Sequence, residues 1–310
     1  MRRAEHANRW FTQPNIERAA RAIATDWLTE EAINGWLAPY TGRSLPAGDL
    51  GIVCAGNIPF VGLHDILCAY VAGIPAQIKA STKDEHLITW AVERLRELSP
   101  DWPVRLVDRL ESPDRVIATG SDNTNRYFEH YFRRMPSLLR RNRTSLAILT
   151  GEESDDELRL LVDDVLSFFG LGCRNVSQIL IPEGFDLQRL ADATSDFTHY
   201  RQHALFMDNY DYRRTLLLMN GTQHVPTDAL LIVPDDRLHA ALATVHVRHY
   251  TTPDDVDDVL IDHRNDLQTV VGRANDRWTT TPLGQAQRPM LRDYADGEDV
   301  LDFLLGPPSQ

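Results

Sequence analysis

Two hydrophobic rhythms alternate along this chain. Short, nearly continuous apolar runs fall at 50–55, 75–81, 103–107 and 115–119, each bounded by glycine, proline or a polar turn. Such runs predict strands buried on both faces of a sheet. Between them, apolar residues recur at three- and four-residue spacing. Leu63, Ile66, Leu67, Tyr70 and Val71 mark a helix over 60–72, and further helices are expected at 84–98 and 122–132. The alternation resumes with a strand at 145–149. A helix follows, with Leu158, Leu161, Val162, Val165, Phe168 and Phe169 on one face and Gly170 as its stop. A strand at 177–182 and a helix at 187–194 come next. Later strands are expected at 215–219, 229–233, 246–250 and 267–272, with a helix at 254–264.

Strand followed by helix, repeated this often, predicts an α/β protein with helices on both faces of parallel sheets. The basic stretch 133–143 reads as the link between two halves. The expected organisation is a short helical N-terminal segment over 1–48, a first α/β domain over 49–143, a second over 144–280, and a tail over 281–310 that packs back on the body.

Composition narrows the possible partners. The net charge of −13 disfavours nucleic acid or an anionic membrane surface, because phosphates would be repelled. No apolar run has transmembrane length, and the N-terminus lacks a secretory apolar core, so a cytoplasmic protein is expected. The three cysteines, Cys54, Cys68 and Cys173, form neither a zinc-type pair nor a disulfide framework, and the eleven histidines show no metal-ligand spacing.

Candidate chemistry centres on Gly170-Leu171-Gly172-Cys173-Arg174-Asn175-Val176-Ser177. It places Cys173 on a tight helix-to-strand connection. Gly172 allows close backbone approach, and the Arg174 cation favours a thiolate. These are the needs of a nucleophilic cysteine; the alternative is a buried structural thiol. Ligands of open parallel sheets collect beyond the carboxyl ends of the strands. Asn57, the stretch from Lys79 to Ser81, and Gly120-Ser121 all follow predicted strands, and Cys173 lies beside the second sheet. Asn57 can donate to an oxyanion or simply form a turn. Lys79 can grip a phosphate or ribose or stay solvated. Gly120-Ser121 can receive a pyrophosphate or merely cap a helix. Glu152 and Glu153 suit acid–base chemistry or a helix N-terminus. No Gly-x-Gly-x-x-Gly follows a strand.

The order Asn57-Ile58-Pro59, Lys79-Ala80-Ser81, Thr119-Gly120-Ser121 and Gly172-Cys173 resembles the aldehyde dehydrogenase superfamily. Leu149-Thr150-Gly151-Glu152-Glu153, the stretch from Gly172 to Ser177, and the tail from Gly284 to Gly297 resemble the acyl-CoA reductases more narrowly, the relatives of the long-chain fatty acyl reductase of bacterial luminescence. The resemblance implies an aldehyde-dehydrogenase-like fold of two Rossmann-like domains, one for the cofactor and one for the cysteine. It implies that Cys173 attacks an acyl thioester, such as acyl-CoA, and that NADPH delivers hydride to release an aldehyde. Asn57 and the Cys173 backbone N–H would be oxyanion donors. Lys79 and Ser81 would contact the cofactor ribose, and Gly120 and Ser121 its phosphates. Many NAD-using members carry a glutamate where this chain has Thr82, followed by Lys83, so NADPH is expected over NADH; otherwise Thr82 caps the next helix. The general-base glutamate of the oxidising members is expected near Leu149-Thr150 and is absent there. The glutamate that steadies the nicotinamide ribose has no counterpart, and the N-terminal region is short. The lost ribose glutamate and the short N-terminal region keep open a non-catalytic binding or scaffolding subunit and an enzyme dependent on a homo-oligomer or an acyl-transferring partner; an oxidising aldehyde dehydrogenase is a further alternative, which the missing general base disfavours.

Overall fold

The computed structural model describes residues 1–44, 47–120, 122–274 and 276–306. The chain forms two units, the first from residues 1–142 with the tail from Pro289, the second from 143–288.

The first unit opens with helices α1 (Arg2–Ala7), α2 (Gln13–Ala22) and α3 (Glu30–Leu37). Strands and helices then alternate: β1 (Leu50–Val53), α4 (Leu63–Ala72), β2 (Ala76–Lys79), α5 (Glu85–Leu98), β3 (Val104–Leu106), β4 (Arg115–Thr119), α6 (Asp122–Phe132) and β5 (Ser137–Arg140). The five strands run parallel in the order β3-β2-β1-β4-β5. The chain winds outward from β1 to β3 and then returns to the other side of β1. The topological switch point therefore lies between β1 and β4, where such sheets open a crevice. Ile52, Ile78 and Ile117 are fully buried at the centre, as the continuous apolar runs require.

The second unit comprises β6 (Thr144–Ile148), α7 (Asp155–Leu166), β7 (Val176–Pro182), α8 (Leu187–Ala193), α9 (Ala204–Met219), β8 (Val225–Pro226), β9 (Leu231–Pro234), β10 (Thr244–Tyr250), α10 (Pro253–Asp262), β11 (Leu267–Gly272) and β12 (Thr281–Pro282). Its sheet has the order β12-β11-β6-β7-β10-β9-β8, and only the pairing of β8 with β9 is antiparallel. The chain then rejoins the first unit, where α11 (Val300–Leu304) packs with α4. There the tail is bonded to the N-terminal helices: Trp27 Nε1 donates to Pro289 O at 2.6 Å and Trp36 Nε1 to the Tyr294 hydroxyl at 2.8 Å.

Several sequence expectations give way. Residues 215–219 are the last turns of α9, not a strand. A five-residue apolar run has no period of its own, and here it continues a helix begun at the His203 cap. The stretch 133–143 contains the edge strand β5, where a single Leu-Leu pair stands among five arginines and shows no strand pattern. The helix before Cys173 ends at Leu166, because Phe168, Phe169 and Gly170 all take left-handed backbone conformations. The tail contributes β12 to the second sheet before it turns back to the first unit. No helix among the described residues is long and apolar enough to cross a membrane.

Candidate active site

Cys173 sits on a four-residue turn of the second unit, half-buried and outside any disulfide. The Asn175 N–H closes the turn onto Gly172 O at 3.1 Å. The Asn175 side chain then fixes it from both directions. Its Oδ1 accepts from Gly172 N at 2.8 Å. Its Nδ2 donates to Asp164 O, Val165 O and Ser167 O at 3.0, 3.2 and 2.8 Å. Those are carbonyls that the C-terminus of α7 leaves without helical partners. Ser145, buried in β6, holds the Cys173 carbonyl through Oγ at 3.0 Å. The backbone of Cys173 is thus pinned to a helix end and to a central strand, which leaves the thiol on a rigid support. Upstream, Phe169 keeps its left-handed conformation with its ring 4.2 Å from His203 and 5.3 Å from Tyr200. The roles of Asn175 and Ser145 were not read from the sequence. Both act by side chain on backbone, which leaves no periodic signature.

Cys173 precedes β7 and therefore lies at the amino end of the second sheet, not beyond a carboxyl end. The register makes this matter. Ser145 pairs with Val176 and Ile148 with Leu180, so about 13 Å of strand separates the Cys173 end of β7 from the level of Ile148, and Leu149 lies one residue further. Leu149-Thr150 and the two glutamates stand at the other end of β6. Glu153 is buried, and its carboxylate accepts from Thr150 N at 2.7 Å, Thr150 Oγ1 at 2.8 Å and Gly151 N at 2.9 Å. Glu152 is exposed, 3.7 Å from Arg273. Ser154, not either glutamate, caps α7, in a capping box with Glu157. Within the second unit both glutamates stand at the opposite end of the sheet from Cys173.

The first unit gathers the other candidates at the carboxyl edge of its sheet. Val53 pairs with Lys79 on one side and Ala118 on the other. The loops after β1, β2 and β4 therefore rise side by side, carrying Asn57, then Ser81 and Thr82, then Gly120. Lys79 and Asn57 are half-buried, and Thr82 and Lys83 are exposed. Gly56 passes so close to Ser81 that a Cβ there would stand 2.4 Å from its Oγ. Gly120 opens α6 in the same manner: a Cβ would lie 2.9 Å from the Phe128 ring and 3.0 Å from Thr124. Only glycine lets the helix start this close to the strand. Ser121 lies outside the described residues. Thr82 does not cap α5; that position belongs to Asp84. Asn57 belongs to the first unit and Cys173 to the second.

Cys54 and Cys68 are buried in the first unit, Cys54 just past β1 and Cys68 within α4. Burial, reinforced by the Asp65 carboxylate, pushes both thiols well above their usual range. A protonated, enclosed thiol is a packing group.

No protein-family profile matches the chain, and no curated protein does. Solved structures match it by fold. An aldehyde dehydrogenase of Mycobacterium tuberculosis complexed with NAD+ aligns with a TM-score of 0.60 at 16% identity, over 84% of this chain and 66% of that one. Aldehyde dehydrogenase C of Pseudomonas syringae, a mutant complexed with NAD+ and octanal, aligns with a TM-score of 0.62 at 12% identity, over 84% and 64%. Succinic semialdehyde dehydrogenase of Streptococcus pyogenes in complex with NADP+ gives 0.58 at 11%, over 76% and 61%. This chain spans less than two thirds of the length of each. It has the aldehyde-dehydrogenase fold, two Rossmann-like α/β units joined in one chain.

Proposed function

We propose that this protein reduces an acyl thioester, such as acyl-CoA, to an aldehyde with NADPH, through an S-acyl intermediate on Cys173. The observation that carries the reading is the pinned Cys173 turn, combined with the position of Glu152 and Glu153. A nucleophile needs a fixed position and access. The Asn175 and Ser145 bonds give the first, and half-burial the second. Oxidation of an aldehyde also needs a base to activate water, and Glu152 and Glu153 stand at the wrong end of β6 for that task. Reduction needs none.

In this reading the Cys173 thiolate attacks the thioester carbonyl, and the tetrahedral oxyanion takes a hydrogen bond from Asn57 and the Cys173 N–H. Collapse expels the carrier thiolate, which leaves with a proton. A reduced nicotinamide, when bound, supplies hydride to the acyl carbon. Cys173 then departs as thiolate, and the net change is one thioester, one hydride and one proton to one aldehyde and one thiol. The residues present suit a phosphorylated dinucleotide. Gly120 brings the start of α6 close to the edge, where helix N–H groups favour phosphate. Lys79, Ser81, Thr82 and Lys83 present cations and hydroxyls with no carboxylate among them.

The names of the structural neighbours, aldehyde dehydrogenases solved with NAD+ or NADP+, favour a second reading as an oxidising aldehyde dehydrogenase. One experiment separates the two. The purified protein is mixed with acyl-CoA and digested, and acyl mass is sought on the peptide containing Cys173; NADPH is then added and aldehyde trapped. An adduct followed by aldehyde supports the reductase. No adduct, with acid formed from aldehyde and NAD(P)+, supports the dehydrogenase. Neither product indicates a binding subunit.

A further inference from the structure

Asp84 occupies the N-cap position of α5, where an aspartate ordinarily accepts N–H groups from the first turn of its own helix. Here its side chain makes no such bond. It reaches instead across to the loop after β1, where Oδ2 accepts from Phe60 N at 2.9 Å. Phe60 has φ of 61°, a left-handed conformation that a bulky side chain adopts only when its surroundings impose it. Asp84 is 2% exposed, and its Oδ1 is buried without a partner. A buried carboxyl that forgoes its own helix to hold another loop calls for an explanation.

Both loops that it joins carry candidate chemistry. Asn57 lies three residues before Phe60. Ser81, Thr82 and Lys83 immediately precede Asp84, and Asp84 N donates to Ser81 O at 2.9 Å. The same loops meet again where Ser81 fills the space beside Gly56. We propose that Asp84 is a positioning residue that locks the Asn57 turn onto the Ser81–Lys83 loop, so that occupancy of the dinucleotide loop and the orientation of the oxyanion donor are coupled. The inference rests on the reductase reading for the roles of the two loops; the mechanical link between them stands on the Asp84–Phe60 bond. Asp84 touches neither substrate nor cofactor in this scheme and acts through Asn57. Burial raises its carboxyl pKa to about 8, so asparagine is the closest neutral mimic at working pH.

The test compares the parent with Asp84→Leu, Asp84→Ala and Asp84→Asn. Leucine removes the acceptor without leaving a void, should alanine fail to fold. Hydrogen exchange is followed on peptides covering 55–62 and on α5, with and without NADPH. The link predicts at least tenfold faster exchange at 55–62 in Asp84→Leu and Asp84→Ala, with α5 little changed and with asparagine retaining protection. NADPH is expected to slow exchange at 55–62 in the parent and to lose that effect in Asp84→Leu. Turnover adds a second readout: Asn57→Ala combined with Asp84→Leu is expected to lose no more kcat than Asn57→Ala alone, because one acts through the other. Unchanged exchange at 55–62 in the leucine variant overturns the link. Absent NADPH protection of 55–62 in the parent, or losses of kcat that multiply, overturns the coupling. Exchange that behaves as expected in a protein without turnover refutes the reductase reading and leaves the link intact.

Discussion

The side-chain amide of Asn175 accepts from Gly172 N at 2.8 Å and so closes the turn that carries Cys173. The same amide satisfies three carbonyls at the end of α7. Asn175 is 4% exposed, so its loss leaves buried carbonyls without donors. Asn175→Ala is expected to cost about 2–4 kcal/mol, more than one ordinary hydrogen bond, because desolvated acceptors remain behind. Urea unfolding measures this. A change under about 0.5 kcal/mol would mean that water replaces the amide at no cost. Asn175→Asp keeps the Oδ1 acceptor and loses the donors, so it is expected to fall near alanine.

Much of the frame was legible because parallel strands, buried on both faces, are written as continuous apolar runs. Ile52, Ile78 and Ile117 announce their strands for that reason, and Gly73 ends α4 in the left-handed conformation its type permits. The misses have equally physical causes. At 215–219 the sequence Thr-Leu-Leu-Leu-Met suits a strand or a helix, and only the continuation from Ala204 decides. The site was legible in residue types and not in its supports. Asn57, Lys79, Ser81 and Gly120 share one edge because three strands end there. Asn175, Ser145 and Asp84 work through side-chain contacts to backbone at separations that follow no helical or strand period, and no spacing rule reports those. That Leu149 and Cys173 stand apart within the second unit was equally hidden, because β6 and β7 run parallel: the residue after β6 and the residue before β7 occupy opposite ends.

The nucleophile assignment separates the three thiols. Cys173→Ala is expected to abolish acyl adduct formation and turnover. Cys54→Ala and Cys68→Ala should keep both, since burial holds those thiols protonated. Intact-mass spectrometry after acyl-CoA treatment reads all three variants. An adduct that persists in Cys173→Ala would sink the assignment.

Asn57→Ala tests the oxyanion role. Removal of one such donor typically costs roughly 100- to 1000-fold in turnover. The fold should tolerate it, because the turn is held by the bond from Phe60 N to Asp84. Steady-state kinetics beside a thermal melt distinguishes chemistry from folding. A loss below about threefold, with an unchanged melt, would reduce Asn57 to a turn former.

Asp84 makes a prediction about pH. Desolvation raises its carboxyl to about 8 in the folded state, from the ordinary aspartate value of 3.8. Between those values the native protein holds a proton that the unfolded chain has released. The contribution to stability is therefore greatest at low pH and declines as pH rises, by up to about 1.4 kcal/mol per unit, levelling off above pH 8. Asp84→Asn does not titrate. Its melting temperature relative to the parent should rise by several degrees, about 2–4 °C per kcal/mol, between pH 5 and pH 8.5. The acid limb behaves oppositely. Asp235, held at about 2 by Arg237, stabilises the fold at neutral pH and loses that effect as pH falls. A difference between Asp84→Asn and parent that is constant across pH 5–8.5 would refute the raised pKa.

Cofactor choice turns on the exposed pair Thr82 and Lys83. Asp84 holds the cap position of α5, so Thr82 has no capping duty and is available to a ligand. A ribose 2′-phosphate carries negative charge and strong acceptor oxygens. A hydroxyl and an ammonium at this loop accept it; a carboxylate would repel it and would favour the two ribose hydroxyls of NADH instead. Because the site is exposed, one such contact is worth roughly tenfold in affinity, near the low end for bonds to charged groups. The parent is therefore expected to prefer NADPH by about that factor. Thr82→Glu should erode NADPH binding more than NADH binding and bring the ratio toward unity or below. Lys83→Ala should lower NADPH affinity and leave NADH nearly unchanged. Fluorescence titration with each reduced cofactor measures all six affinities without requiring turnover, and repetition at high salt should compress the NADPH advantage, since exposed charges are screened. Equal affinities in the parent, unmoved by either substitution, would show that this loop does not read the 2′-phosphate.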